Sequence, residues 1–213
     1  MREAKTIGAC HSAFDLSASQ LDHQVWGNAQ PVNIARFWSG EEAPAGRHAE
    51  VRILWSEQAL CVHYACNQTE PLNVSSNPQT DMKTIGLWDF DVCEIFLAPD
   101  QNAPERYFEF EAAPTGEWLD LGIHFTAGKR ETDWEFHSGM TVATRVETDR
   151  VVIAMKIPWG SAIPKPRRGE RWRANLFRCV GSGDTRGYLA WQPTLTPEPS
   201  FHVPQSFGWL RFD

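Results

Sequence analysis

Positive charge, tyrosine and long apolar runs are all scarce in this chain of 213 residues. Its 20 lysines and arginines are outnumbered by 27 aspartates and glutamates, and the net charge of -7 argues against nucleic acid as a partner. No run approaches the ~18 apolar residues of a membrane helix, so no membrane partner is expected. The opening stretch MREAKTIGACHSAF lacks the apolar centre of a secretion signal. That predicts a cytoplasmic protein, or an extracellular or periplasmic one if the polypeptide starts further upstream. Five scattered cysteines with no C-x-x-C pair read as buried thiols, not as a disulfide framework or a zinc site. No window of a dozen residues carries a helical stripe, and there is no repeat or linker, so residues 1–213 form a single domain.

Aromatic rings and strand signals are what the chain does have. Ten tryptophans and twelve phenylalanines stand against three tyrosines. Short runs alternating with period two fall at 51 to 55, 59 to 65, 92 to 98, 106 to 112, 117 to 123, 140 to 147, 151 to 157, 171 to 180, 187 to 192 and 207 to 212, separated by Gly, Pro, Asn and Asp. They predict an all-β fold, a two-sheet antiparallel β-sandwich of immunoglobulin-like kind. Three segments break the rhythm: residues 1 to 50, Asn67 to Leu87, and Pro193 to Pro204. Long irregular segments in a compact domain are usually functional or disordered. GSGDTRG, residues 181 to 187, reads as a hairpin loop.

Alternation also sorts side chains by face. In VCEIFLA, Cys93, Ile95 and Leu97 share one face, against Val92, Glu94 and Phe96. In RYFEFEA, Phe108 and Phe110 oppose Tyr107, Glu109 and Glu111; in RWRANLF, Trp172, Ala174 and Leu176 oppose Arg173, Asn175 and Phe177. EWLDLGI splits into Leu119, Leu121 and Ile123 against Trp118 and Asp120. If the strands share a sheet, one face is core and the other gathers Glu94, Glu109, Glu111, Asp120 and Arg173 among Trp118, Tyr107, Phe96 and Phe177. Carboxylates between rings suit ligands with both hydroxyls and apolar faces, as sugars have. The plainer alternative is a structural ion-pair network, chiefly Glu109 or Glu111 with Arg173. Trp55, Trp172 and Trp209 have core-like parity, while Trp26, Trp38, Trp134 and Trp159 are left unassigned.

In chain order, LDHQVWGNAQPV, RILWSEQALCVHYAC, WDFDVCEIFLAPD, RYFEFEAAPTGEWLDLGI, VVIAMKIPW, ERWRANLFR and LAWQPT with FHVPQSFGWLRF resemble the family 9 carbohydrate-binding modules and their stand-alone bacterial relatives, from about Leu21 to Phe212. The resemblance implies a DOMON-like β-sandwich that holds the end of a sugar chain, of xylan or cellulose type, between two tryptophans. By motif, Trp88 matches the tryptophan before the D-x-x-E-I-F strand, and Glu94 the sugar-binding glutamate. Trp191 lies in the region matching the second ring; because the loop TLTPEPSFHVPQS departs from the pattern, Phe201 or His202 is the alternative. Glu109, Glu111, Arg173 and Trp118 are read as support for that site. The resemblance also implies structural calcium, with Asp100 as the one candidate ligand and no acidic loop to complete the set. No other cofactor is expected.

Two rival functions share these residues. A glycoside hydrolase would use Glu94 with Glu109 or Glu111. An arginine on that face is expected to depress carboxylate pKa values rather than raise one for acid catalysis, which favours a non-catalytic module. A haem-binding DOMON-like module would draw on Met82, Met140 or Met155 with Lys83, His124 or His137, whose spacing marks no pocket.

Overall fold

The computed structural model describes residues 4–213; residues 1–3, which open the N-terminal stretch read above, lie outside the described residues. The strands are β1 (Thr6–His11), β2 (Val32–Ile34), β3 (Arg36–Phe37), β4 (Ala49–Trp55), β5 (Ala59–Asn67), β6 (Val92–Ala98), β7 (Arg106–Ala112), β8 (Trp118–Thr126), β9 (Lys129–Asp133), β10 (Thr141–Val146), β11 (Arg150–Pro158), β12 (Arg171–Val180), β13 (Gly187–Ala190) and β14 (Gly208–Phe212). Short 3-10 turns are the only helical pieces among the described residues, and no helix there is long and apolar enough to cross a membrane. All ten expected strands are present. β1, β2, β3 and β9 are additions.

The strands follow one hydrogen-bonded path, β10-β11-β5-β4-β1-β14-β12-β6-β7-β8-β9, with β13, β2 and β3 attached alongside. This corrects the expectation of two separate antiparallel sheets, because β1 pairs in parallel with both neighbours. Thr6 to Ala9 run beside Trp209 to Phe212, and Cys10 and His11 beside Leu54 and Trp55. One strand thereby splices two antiparallel halves into a curled, mixed sheet.

Between the halves lies the largest apolar cluster. Ile53, Val62, Tyr64 and Met155 enter from one half, and Ile95, Leu97, Phe110 and Trp172 from the other. Fully burying each such side chain stabilises the fold by about 1.5 to 3 kcal/mol. The five cysteines are free thiols, four of them buried.

A second cluster decides where the site can be. Val92 and Phe96 of β6, Tyr107 of β7, Leu119, Leu121 and Ile123 of β8, and Phe177 of β12 line the outer face of one half. The proline-rich segment after β13 folds over that face. Phe201 stacks on Phe177 with centroids 4.0 Å apart, and Phe207 meets Tyr107 edge-on at 5.3 Å. β6 and β12 are therefore apolar on both sides because both sides are covered.

Candidate functional site

The site begins at the turn into β6. Gly86 takes a left-handed backbone with φ 85, which glycine adopts without a Cβ clash, and a single 3-10 turn, Leu87–Asp89, follows. Leu87 is buried and anchors the turn, which leaves Trp88 37% exposed. The Arg186 guanidinium, on the hairpin between β12 and β13, donates to the carbonyls of Trp88 at 2.6 Å, Phe90 at 2.7 Å and Gly181 at 2.8 Å. That brace holds the indole at the mouth of a recess of about 360 Å³.

Pairing register sets the floor. Residues directly opposite on paired strands point the same way. Glu94 faces Glu111 on β7 and Phe177 on β12, while Glu109 faces Phe96. All three carboxylates thus share one face, and each offers an oxygen within 4.8 Å of the others. Glu94 and Glu109 line the recess; Glu111 is fully buried beside them. Trp134, Tyr188, Phe201 and His202 supply aromatic walls, and Arg130 stands among the lining residues. Trp134 is 44% exposed, its ring centroid 6.4 Å from that of Trp88 at 48°.

The floor is under electrostatic pressure. Burial, then the neighbouring Glu109, pushes the Glu94 carboxyl well above the usual range; burial also raises Glu109. Burial followed by the charges of Glu94 and Glu109 pushes Glu111 well above it. Glu94 Oε1 accepts from the Cys179 thiol at 3.5 Å, whereas both oxygens of Glu111 and Oε2 of Glu109 have no hydrogen-bond donor. His202 is pushed down to about 3 by burial and by Arg130, so its ring is neutral. Its Nδ1 contacts the Tyr107 hydroxyl at 2.8 Å, and its Nε2 stands 4.0 Å from Glu109 Oε2.

With the geometry in place, comparison with known proteins gives a family. The profile of the carbohydrate family 9 binding domain-like family matches residues 19–212. The chain belongs to that family. Among solved structures, this family 9 domain is similar to a candidate carbohydrate-binding protein from Bacteroides uniformis, with a TM-score of 0.76, 19% identity and coverage of 99% of this chain and 100% of that one. It is also similar to a family 9 carbohydrate-binding module from Caldicellulosiruptor kristjanssonii, solved with glucose, with a TM-score of 0.68, 16% identity and coverage of 98% and 96%. A cellotriose complex described in the same terms gives 0.67, 15%, and 98% and 94%. Among curated proteins, a rat UPF0462 protein C4orf33 homolog is 27% identical over 60% of this chain and 61% of its own length, and an "Extracellular protein" of Arthroderma benhamiae is 23% identical over 59% and 62%. The matched part thus spans about three fifths of those curated relatives.

The family 9 domain brings together part of the expected set. Trp88, Glu94, Glu109 and His202 line one recess, with Glu111 behind them. Four expectations are corrected. Trp191 is 5% exposed and packed in the main core beneath Gly208, where an added Cβ would overlap its indole. Trp118 pairs with Ala112, and Asp120 with Phe110, so both point to the opposite side of the sheet from the glutamates. There Trp118 Nε1 donates to Thr80 O at 3.1 Å, and Asp120 pairs with Lys83 at 2.9 Å. Arg173 shares the glutamate face but lies at its far end, opposite Ala98 and over the Trp209 ring at 4.7 Å, donating to Gln205 O at 3.3 Å. The ion-pair network of Arg173 with Glu109 or Glu111 is therefore not formed, and the glutamate pKa values rise instead of falling.

The calcium guess also changes. Asp100 is an exposed turn residue whose Oδ1 accepts from the Asn102 amide at 2.9 Å, and the acidic group that comes together among the described residues is Glu94, Glu109 and Glu111. For haem, Met140 and Met155 are buried in the core and Met82 is exposed, and none of them is among the recess-lining residues. Trp134, Tyr188 and Arg130 were missed as site residues. Trp134 follows KRETD, a fully polar strand that shows no alternation of apolar side chains.

Proposed function

We propose that this domain captures the end of a sugar chain, of cellulose or xylan type, in the recess between Trp88 and the loop carrying Phe201. The observation that carries it is a pair of exposed indoles, Trp88 and Trp134, at the mouth of a cavity with Glu94 and Glu109 on its floor. Pyranose faces carry C–H groups that gain dispersion contacts and leave water when laid on indole, while carboxyl oxygens take the hydroxyls. Family membership supports this reading, as do the glucose and cellotriose complexes of the Caldicellulosiruptor module. At ~25 cal/mol per Å² of apolar area, a single ring stacked this way supplies a few kcal/mol before ordering costs, which points to micromolar or weaker affinity.

Glu94 and Glu109 lie on one sheet face and approach a sugar from one side, whereas hydrolysis needs two groups flanking the scissile bond. That supports capture over cleavage. Calorimetry with glucose, cellotriose and xylotriose tests the proposal, with chromatography of the same samples to follow turnover. Expected results are saturable heat from at least one sugar, intact oligosaccharide afterwards, and a loss of about 1 to 3 kcal/mol in Glu94→Gln. No heat from any of the three would overturn it.

A further inference from the structure

We propose that Glu94, Glu109 and Glu111 form a site for a hard divalent cation of calcium's or manganese's size at the floor of the recess. Three acidic side chains near one another are common on protein surfaces and carry no such meaning there. These three are buried, at 2%, 3% and 0% exposure. Burying an ionised carboxylate is costly unless it is paired or fully hydrogen-bonded. Glu94 has one weak thiol donor, Glu109 keeps a free oxygen, and Glu111 has no donor to either oxygen although no part of it reaches solvent.

Counter-charge is not in contact either, since Arg130 lines the recess without forming an ion pair to any of the three. Among the described residues, the one basic group within 4.0 Å of these carboxylates is His202, whose Nδ1 is engaged by the Tyr107 hydroxyl at 2.8 Å. Arg186 is committed to the carbonyls of residues 88, 90 and 181 and to Asp91. Oxygens of Glu109 and Glu111 lie within 4.8 Å of each other, and two ionised carboxylates are both acceptors. Something positive must sit between them, either a shared proton or a cation.

The spacing admits the cation. Oxygen ligands bind calcium at about 2.3 to 2.6 Å, so two on opposite sides of one ion lie at most about 5 Å apart; for magnesium the limit is nearer 4 Å. The oxygens here fall within 4.8 Å of one another, inside the span of the larger ion. Glu111 lies at the base, and Glu94 and Glu109 reach the recess, which leaves the outer coordination positions facing the cavity for water or a ligand oxygen. The proposal does not depend on a sugar entering.

The test uses the full chain after chelator treatment and dialysis. Manganese chloride is followed by calorimetry and by the loss of the free-ion electron paramagnetic resonance signal, and calcium chloride by melting temperature. Expected are one saturable ion per chain and a melting temperature that rises with calcium. Glu111→Gln should weaken uptake by about tenfold or more and abolish the thermal response, while the exposed Glu42→Gln matches the wild type. Glu94→Gln and Glu109→Gln are measured in parallel and carry the test if Glu111→Gln does not fold. No saturable uptake of either ion, or uptake undiminished in all the folded variants of the three, overturns the proposal and leaves shared protons as the way these acids are neutralised.

Discussion

Two tryptophans show how little a side chain's identity says about its duty. Trp88 stands exposed at the end of a braced turn, while Trp191 fills the core beneath Gly208. Trp88→Ala should therefore abolish sugar binding in calorimetry with almost no change in melting temperature. Trp191→Ala should cost about 3 to 5 kcal/mol in denaturant unfolding. A large stability loss in Trp88→Ala would place that ring in the packing instead of the site. The glutamates make a second prediction. Their folded-state pKa values lie above the ordinary 4.5, so the folded protein holds these protons more tightly than the unfolded chain. Their stabilising effect is fully present below about 4.5 and is lost as pH rises through the folded values. In chelator-treated protein the wild type should lose more melting temperature between pH 5 and pH 8 than Glu111→Gln does. Equal slopes would show that Glu111 does not titrate in that range.

At the scale of elements, the hairpin β12-β13 matters more for its arginine than for its turn. Arg186 holds three carbonyls of the segments that present Trp88, with side-chain exposure of 11%. Arg186→Ala should weaken sugar binding by about tenfold while the far-ultraviolet circular dichroism stays unchanged, and Arg186→Lys, without the planar fork, should recover only part. An unaltered affinity would show that the turn holds without its brace. What could be read from the residues follows the same division. β6, β7 and β12 were legible because their alternation is strict, and it placed Glu94, Glu109 and Glu111 together. The alternation of β8 does not tell which of its faces meets the main core, because this half of the molecule is apolar on both faces. Leu119 and Leu121 fill the outer cluster, which turns Trp118 and Asp120 away from the site. β2 and β3, three and two residues long, are too short to show a period. Trp134 was missed for a related reason: KRETD owes its strand conformation to pairing with β8, and its charges suit an exposed edge.

For the molecule as a whole, two halves of one curled sheet enclose the main core, and the proline-rich segment after β13 forms a roof over the outer face of one half. That roof is the segment between β13 and β14, and Phe201 and His202 on it line the recess while Trp191 is buried in the core. The mixed sheet has its own signature. Because β1 is paired to both halves, they should unfold together, with tryptophan fluorescence and circular dichroism giving coincident transitions. Two separated transitions would mean that each half is stable alone.

The parallel pairing of β1 with β14 also sets the first and last strands side by side, with the two ends of the described chain at opposite ends of that pair. The Asp213 amide donates to Ala9 O at 3.0 Å, and the Trp55 indole N–H donates to Asp213 O at 3.2 Å. A glycine-rich bridge from residue 213 back to residue 4 therefore has to run back along β1, roughly 20 Å at about 3.3 Å per residue, and the polypeptide can be reopened at the exposed turn around Asp149. Such a permuted chain would start and finish on the β10-β11 hairpin yet keep the same recess, so where the polymer is cut is independent of what the fold can hold.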